Sequence, residues 1–174
     1  MFIPNTKKGD LLGVCSCNYH GVELRDIRVM RGDKKLWLAF PSIPRRDKSG
    51  NYTMENGKRV FDDIFYPSCK EARLNLEELV NDQVCEYIGA PIIRKQEHPV
   101  LQEDTAWFRP YRQGELLGFA TVRYHGLVIR NIRLFQMGSK KTRLLFPSVN
   151  GKPVCIPSQK AGEEIFDLIK NKMG

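Results

Sequence analysis

No apolar run in this chain of 174 residues approaches the ~18 that a membrane-crossing helix requires, and the opening MFIPNTKKGD lacks the long apolar core of a secretory signal. A soluble, cytoplasmic protein is therefore expected. There is no glycine-rich phosphate loop, no nucleophile elbow and no quartet of metal ligands, so neither an enzyme nor a cofactor or small-molecule substrate is expected. Cysteine is sparse and odd in number, at positions 15, 17, 69, 85 and 155. Cys15 and Cys17 alternate along a strand pattern and read as small core residues in a reducing compartment. With His20 they make the nearest approach to a metal site, but no fourth ligand has suitable spacing.

Acidic residues are scarce in one part of the chain only. The net charge of +8 divides as 14 Lys/Arg against 13 Asp/Glu in residues 1–87, 4 against 3 in 88–113, and 10 against 4 in 114–174. That excess predicts a polyanionic partner, nucleic acid before membrane, since no basic amphipathic helix accompanies it. Charge kept for solubility alone is the other reading.

What is present is a repeat. Leu11 to Ser42 reappears at Leu116 to Ser148, and from Gly9 to Val29 the copy 105 positions downstream keeps 10 of 21 residues. Such self-similarity marks a tandem duplication of modules of ~60–85 residues. The expected fold is α+β: two repeated modules, each a small antiparallel sheet with a C-terminal helix, paired as an intramolecular pseudo-dimer. Residues 1–87 form the first module, 88–106 a docked connector, and 107–174 a second, shortened module.

Within each copy, Gly13, Cys15, Cys17 and Tyr19 alternate, as do Gly118, Ala120, Val122 and Tyr124, which predicts a strand. Tyr-His-Gly follows in both copies; the glycine suits a tight hairpin, and the histidine reads as an exposed turn residue. In the next strand Val22 and Leu24 are followed by Ile27 and Val29, a slip of one that recurs as Leu127, Ile129, Ile132 and Leu134. A β-bulge explains the slip and turns Arg25, Arg28, Arg130 and Arg133 toward the face away from the core. Those arginines either pair with neighbours such as Glu23 and Asp26 or meet phosphate. In the second copy Val128 and Asn131 replace these acids, leaving Arg130 and Arg133 without local partners and near Arg123.

A third strand ends in Phe-Pro-Ser in each copy. The first copy then has 16 extra residues, mostly the polar loop IPRRDKSGNYTMENGK, which reads as mobile; Asn-Gly-Lys survives in both. Ser68 is placed to cap a helix with a stripe at Ala72, Leu76, Leu79, Val80 and Val84, and Ser158 opens one with Ile165, Phe166, Ile169 and Met173. Trp107-Phe108 reads as a strand stub. Asp62-Asp63 reads as an acidic strand end, having no counterpart in the second copy.

The strings Asp26-Ile27-Arg28-Val29, Pro41-Ser42 and Asp63-Ile64 followed by Pro67, in that order before a helix, resemble the stage V sporulation protein G family of bacterial septation and gene-expression regulators. The resemblance covers nearly all of Leu11 to Val84 and, more weakly, Leu116 to Met173, where Asn131 replaces the aspartate and the loop is cut. It implies a regulatory protein that pairs and binds DNA, with RNA as a second candidate, the two modules here standing in for two subunits; a further homodimer stays open. The expected phosphate contacts are Arg123, Arg130, Arg133, Lys140, Lys141, Arg143 and Lys160, assisted by Arg25, Arg28, Arg45, Arg46, Lys70 and Arg73. A protein-interaction adaptor is the alternative.

Overall fold

The computed structural model describes residues 1–7, 9–32, 36–88, 103–138 and 141–173. Lys140 and most of the expected connector lie outside them. The chain is α+β, with mostly antiparallel sheets and two helices. In order it forms β1 (Phe2–Pro4), β2 (Leu11–Tyr19), β3 (Val22–Arg31), β4 (Leu36–Ala39), β5 (Ser42–Pro44), β6 (Met54–Glu55), β7 (Lys58–Arg59), β8 (Phe61–Asp63), β9 (Phe65–Pro67) and α1 (Lys70–Ile88). There follow β10 (Thr105–Gln113), β11 (Leu116–Tyr124), β12 (Leu127–Met137), β13 (Lys141–Leu145), β14 (Ser148–Val149), β15 (Lys152–Pro153), β16 (Cys155–Pro157) and α2 (Gln159–Lys170).

The period-two stretches form two hairpins, β2–β3 and β11–β12, closed by His-Gly turns. His20 and His125 both have φ 48°, with Gly21 at 81° and Gly126 at 76°. Left-handed backbone at both turn positions matches the twist of the flanking strands. Asn56-Gly57 and Asn150-Gly151 close the small β6–β7 and β14–β15 hairpins with φ of 48°, 75°, 50° and 77°.

The phase slip is a bulge in both strands. Cys15 faces Ile27 and Cys17 faces Leu24, so Arg25 and Asp26 together oppose Ser16. Ala120 faces Ile132 and Val122 faces Ile129, so Arg130 and Asn131 oppose Thr121. The extra residue sits left-handed, at φ 59° for Asp26 and 61° for Asn131. Asp and Asn tolerate this region better than most side chains.

A bulge leaves an amide without a ladder partner, and here the amide is taken from outside its hairpin. Arg25 N–H donates to the Val154 carbonyl at 2.9 Å, and Arg130 N–H to the Ile64 carbonyl at 2.8 Å. The strand beyond each acceptor then joins the sheet: β16 pairs with β3 through Cys155–Leu24 and Pro157–Val22, and β9 pairs with β12 through Phe65–Ile129 and Pro67–Leu127. Ser158 N–H to Gly21 and Ser68 N–H to Gly126 close these additions. Each five-stranded sheet therefore takes one strand from the other half of the chain: β1-β2-β3-β16 with β4 also on β3, and β10-β11-β12-β13 with β9 also on β12. After β9 the chain returns to pack α1 on β2, and after β16 it returns to pack α2 on β10 and β11.

Residues from both halves fill one continuous core, including Tyr19, Leu24, Ile64, Phe65, Leu76, Leu127, Ile132 and Ile165. Cys15, Cys17 and Cys155 are buried within it, and burial pushes the Cys15 thiol up to about 12 and the Cys17 thiol up to about 11. Among the described residues no three His, Cys, Asp or Glu are placed to hold a metal ion. Gly13 and Gly118 admit an aromatic ring and a backbone carbonyl: a Cβ on Gly13 would lie 2.5 Å from the Ile3 oxygen, and one on Gly118 2.7 Å from the Phe108 ring. No described helix is long and apolar enough to cross a membrane.

Several expectations need correction. The 43–58 loop is not a bare polar excursion, because β5 pairs with β8, β6 with β7, and the Arg46 and Arg59 guanidiniums lie over the Tyr52 ring at 4.2 and 4.3 Å. At the start of α1 the Ser68 hydroxyl donates to the Gly126 carbonyl, and the Cys69 sulfur accepts from Ala72 N–H at 3.5 Å. Ser158 caps α2, accepting from Ala161 N–H. Leu79 is 40% exposed although its stripe neighbours are buried. The Trp107-Phe108 stub is part of a nine-residue strand that begins at Thr105, inside the expected connector.

Candidate nucleic-acid interface

The second sheet has a covered side and an open side. Ala106, Ala120, Val122, Tyr124, Ile132 and Leu134 are buried on the side where α2 places Ala161, Ile165 and Ile169. The alternate residues point the other way, since successive side chains in a strand take opposite faces. On that open side β10 presents Trp107, Arg109 and Tyr111, which are exposed.

The remaining strands continue the face through their register, because directly opposed residues share a face. Arg109 faces Phe119, Phe119 faces Arg133, and Arg133 faces Leu145. Phe135 faces Arg143, and Met137 faces Lys141. Contacts link the side chains: Arg123 lies over the Trp107 ring at 5.8 Å, Arg109 over Phe119 at 5.5 Å, and the Tyr111 and Phe119 rings are 5.8 Å apart. Strands β10 to β13 contain Arg109, Arg112, Arg123, Arg130, Arg133, Lys141 and Arg143, seven cations, and no Asp or Glu. Strands β1 to β4 hold three arginines and two acids.

The expected phosphate-binding residues divide on this geometry. Arg123, Arg133, Lys141 and Arg143 gather on the open face. Arg133, Lys141 and Arg143 make no ion pair with a described residue, while Arg123 also donates to the Glu103 carbonyl at 2.9 Å. Arg130 stands at the rim and has no local acid, as expected, but a distant one approaches it. It donates to the Tyr66 hydroxyl at 3.0 Å, lies over the Tyr66 ring, and approaches Asp62 at 3.8 Å. The acid comes from the other half of the chain, beside the exchanged strand β9, where local comparison of the two copies does not look. Asp62 is already engaged by Arg45 at 2.6 Å, and the hydrogen bond from Arg45 holds its carboxyl below the usual range.

The others lie elsewhere. Arg25 makes a two-bond pair with Glu23 at 2.8 and 3.1 Å, and Arg28 donates to the Phe40 carbonyl; both are on the first sheet. Arg46 donates to the Gly50 carbonyl and the Tyr52 hydroxyl in the loop. Lys70 and Arg73 are on α1, with Arg73 paired to Glu77. Lys160 is on α2, across the second sheet from the open face, and approaches Glu164 at 3.9 Å.

Reading the sequence for charge alone misses Trp107, Arg109, Tyr111 and Phe119. The available signal is the alternation Trp107-Arg109-Tyr111, which puts ring, guanidinium and ring on one face of a strand. No family model, curated protein or solved structure matches the chain.

Proposed function

We propose that this chain is a nucleic-acid-binding regulatory protein, working in a reducing cytoplasm, whose two halves are copies of one unit that pair with each other as two subunits would. The reading rests on one observation above all: four adjacent strands carry seven cations and no acid, with the unpaired ones on a rigid open sheet. Guanidinium groups fixed in this way suit phosphate oxygens, which accept two parallel hydrogen bonds from one arginine. The reciprocal strand exchange and the matching bulges support the paired-copy reading, and the resemblance to stage V sporulation protein G regulators points in the same direction. On this reading the first half supplies pairing and packing, with its arginines at positions 25, 45 and 73 matched to Glu23, Asp62 and Glu77.

The test is a salt titration of binding. Removing the cation opposite one phosphate should lower the slope of log affinity against log salt by about 0.9 for duplex DNA or about 0.7 for a single strand. Arg133→Glu with Arg143→Glu is expected to weaken binding and flatten that slope by about twice this amount, whereas Lys160→Glu changes little. An unchanged slope in the double variant removes this face from the interface. A protein-interaction adaptor is the second reading, favoured by the position of β10 at a sheet edge, where an added strand can pair. It requires binding that survives moderate salt.

A further inference from the structure

The open face of the second sheet carries more than charge. Trp107 and Tyr111 are 52% and 49% exposed, and Phe119 lies between them and the Arg133 row. A surface that needed only to attract phosphate would have no use for three rings on the same side as its arginines. Exposed rings beside guanidiniums offer flat, polarisable surfaces at which an unpaired base can stack.

At the same register the first sheet places Ile3 opposite Val14 and Val14 opposite Arg28, where the second places Arg109 opposite Phe119 and Phe119 opposite Arg133. Ile3 is exposed but has no π face. The equivalent row of the first sheet keeps a cation in Arg28 but has no ring, and Trp37 on β4, 42% exposed, lies outside that row, so rings and cations share a row only in the acid-free sheet.

Dimensions decide between paired and unpaired nucleic acid. Four strands spaced about 4.8 Å apart span about 14 Å between the outer two, before side chains are added. The major groove of a duplex is about 12 Å wide and admits a helix or a two-stranded ribbon. The sheet face is too broad to enter it, and bases inside a duplex cannot reach rings on a flat surface. From this we infer that the ligand of the open face is single-stranded nucleic acid, its bases stacked on Trp107, Phe119 and Tyr111 and its phosphates held by Arg109, Arg123 and Arg133. The inference rests on the nucleic-acid reading above and names the form of ligand that reading would bind.

Fluorescence tests it on the full chain. Trp37→Phe leaves Trp107 as the only tryptophan, since the chain has two. Oligo-dT, oligo-U and a mixed-sequence duplex of equal length are then titrated in turn. The expected result is quenching of Trp107 by the single strands, which bind more tightly than the duplex; the better of the two identifies the preferred sugar. Trp107→Ala should lower single-strand affinity about tenfold, the worth of one stacked base, and Trp107→Phe should restore most of it. A duplex that binds at least as tightly as both single strands, with Trp107 emission unchanged, overturns the stacking inference and leaves nucleic-acid binding standing. If none of the three binds, both fall.

Discussion

His20 and His125 meet where the two halves join. Their rings stack at 4.1 Å with a 17° tilt, so the reading of these histidines as plain exposed turn residues is incomplete. The Tyr19 hydroxyl donates to the His125 carbonyl at 2.7 Å, and the Tyr124 hydroxyl donates to Glu164. Burial and then the neighbouring His125 hold the His20 imidazole below its usual value near 6.5, while the Asp104 carboxylate, which accepts from the His125 backbone N–H at 2.6 Å, acts in the opposite sense. Glu78 and Asp82 of α1 line the same shallow pocket as His20. Because the folded chain holds His20 below its unfolded value, the unfolded chain binds more protons in that window. Stability is then full above pH 6.5 and is lost as pH falls toward the folded value. Denaturant midpoints should drop between about pH 7.5 and about pH 5.5, and His20→Asn, which keeps a residue tolerant of left-handed backbone, should flatten the drop. Carboxylates such as Asp62 and Glu23 are held low by arginines and titrate below this range.

At the scale of elements, the exchanged strands carry the fold. Phe65 of β9 is fully buried and meets the Phe40 ring edge-on at 5.7 Å, so a strand of the second sheet also packs against the first half. Phe65→Ala is expected to cost about 3–5 kcal/mol in chemical denaturation, as for other buried aromatics, whereas Phe61→Ala, at a site 53% exposed, should cost far less. Hairpins, bulges and helices are legible in the sequence because each writes its periodicity into neighbouring residues. The exchange is not, because a two-residue period says that Phe65 and Pro67 are extended but not which strand they join. The same gap hides the Arg130–Asp62 approach, which crosses between the halves. The bond from the Ser68 hydroxyl to the Gly126 carbonyl is hidden for the same reason, since it depends on the added strand. The ring-bearing side of β10 escapes a reading that gives Thr105 and Ala106 to a connector and weighs only cations.

For the molecule as a whole, the exchange determines how the two halves depend on each other. Without residues 154–157 the first sheet loses β16, the Arg25 amide loses its Val154 acceptor, and the buried edge of β3 is left open. Without residues 64–67 the second sheet suffers the matching loss at β12 and at the Arg130 amide. A strand edge opened in this way is hydrated, so the larger loss is apolar: each half would expose its share of the common core. Against a typical domain stability of about 5–15 kcal/mol, those losses leave neither half able to fold alone. Covalent continuity through residues 89–102 should matter less, because the ladders across the seam are made by β9 and β16. Fragments 1–88 and 103–174, co-expressed with a tag on one, are thus expected to co-purify and give the circular dichroism of the intact chain, while each alone is unfolded or aggregated. A tagged fragment that folds by itself and leaves the other behind would show that the exchanged strands are dispensable, and with them the paired-copy reading of the fold.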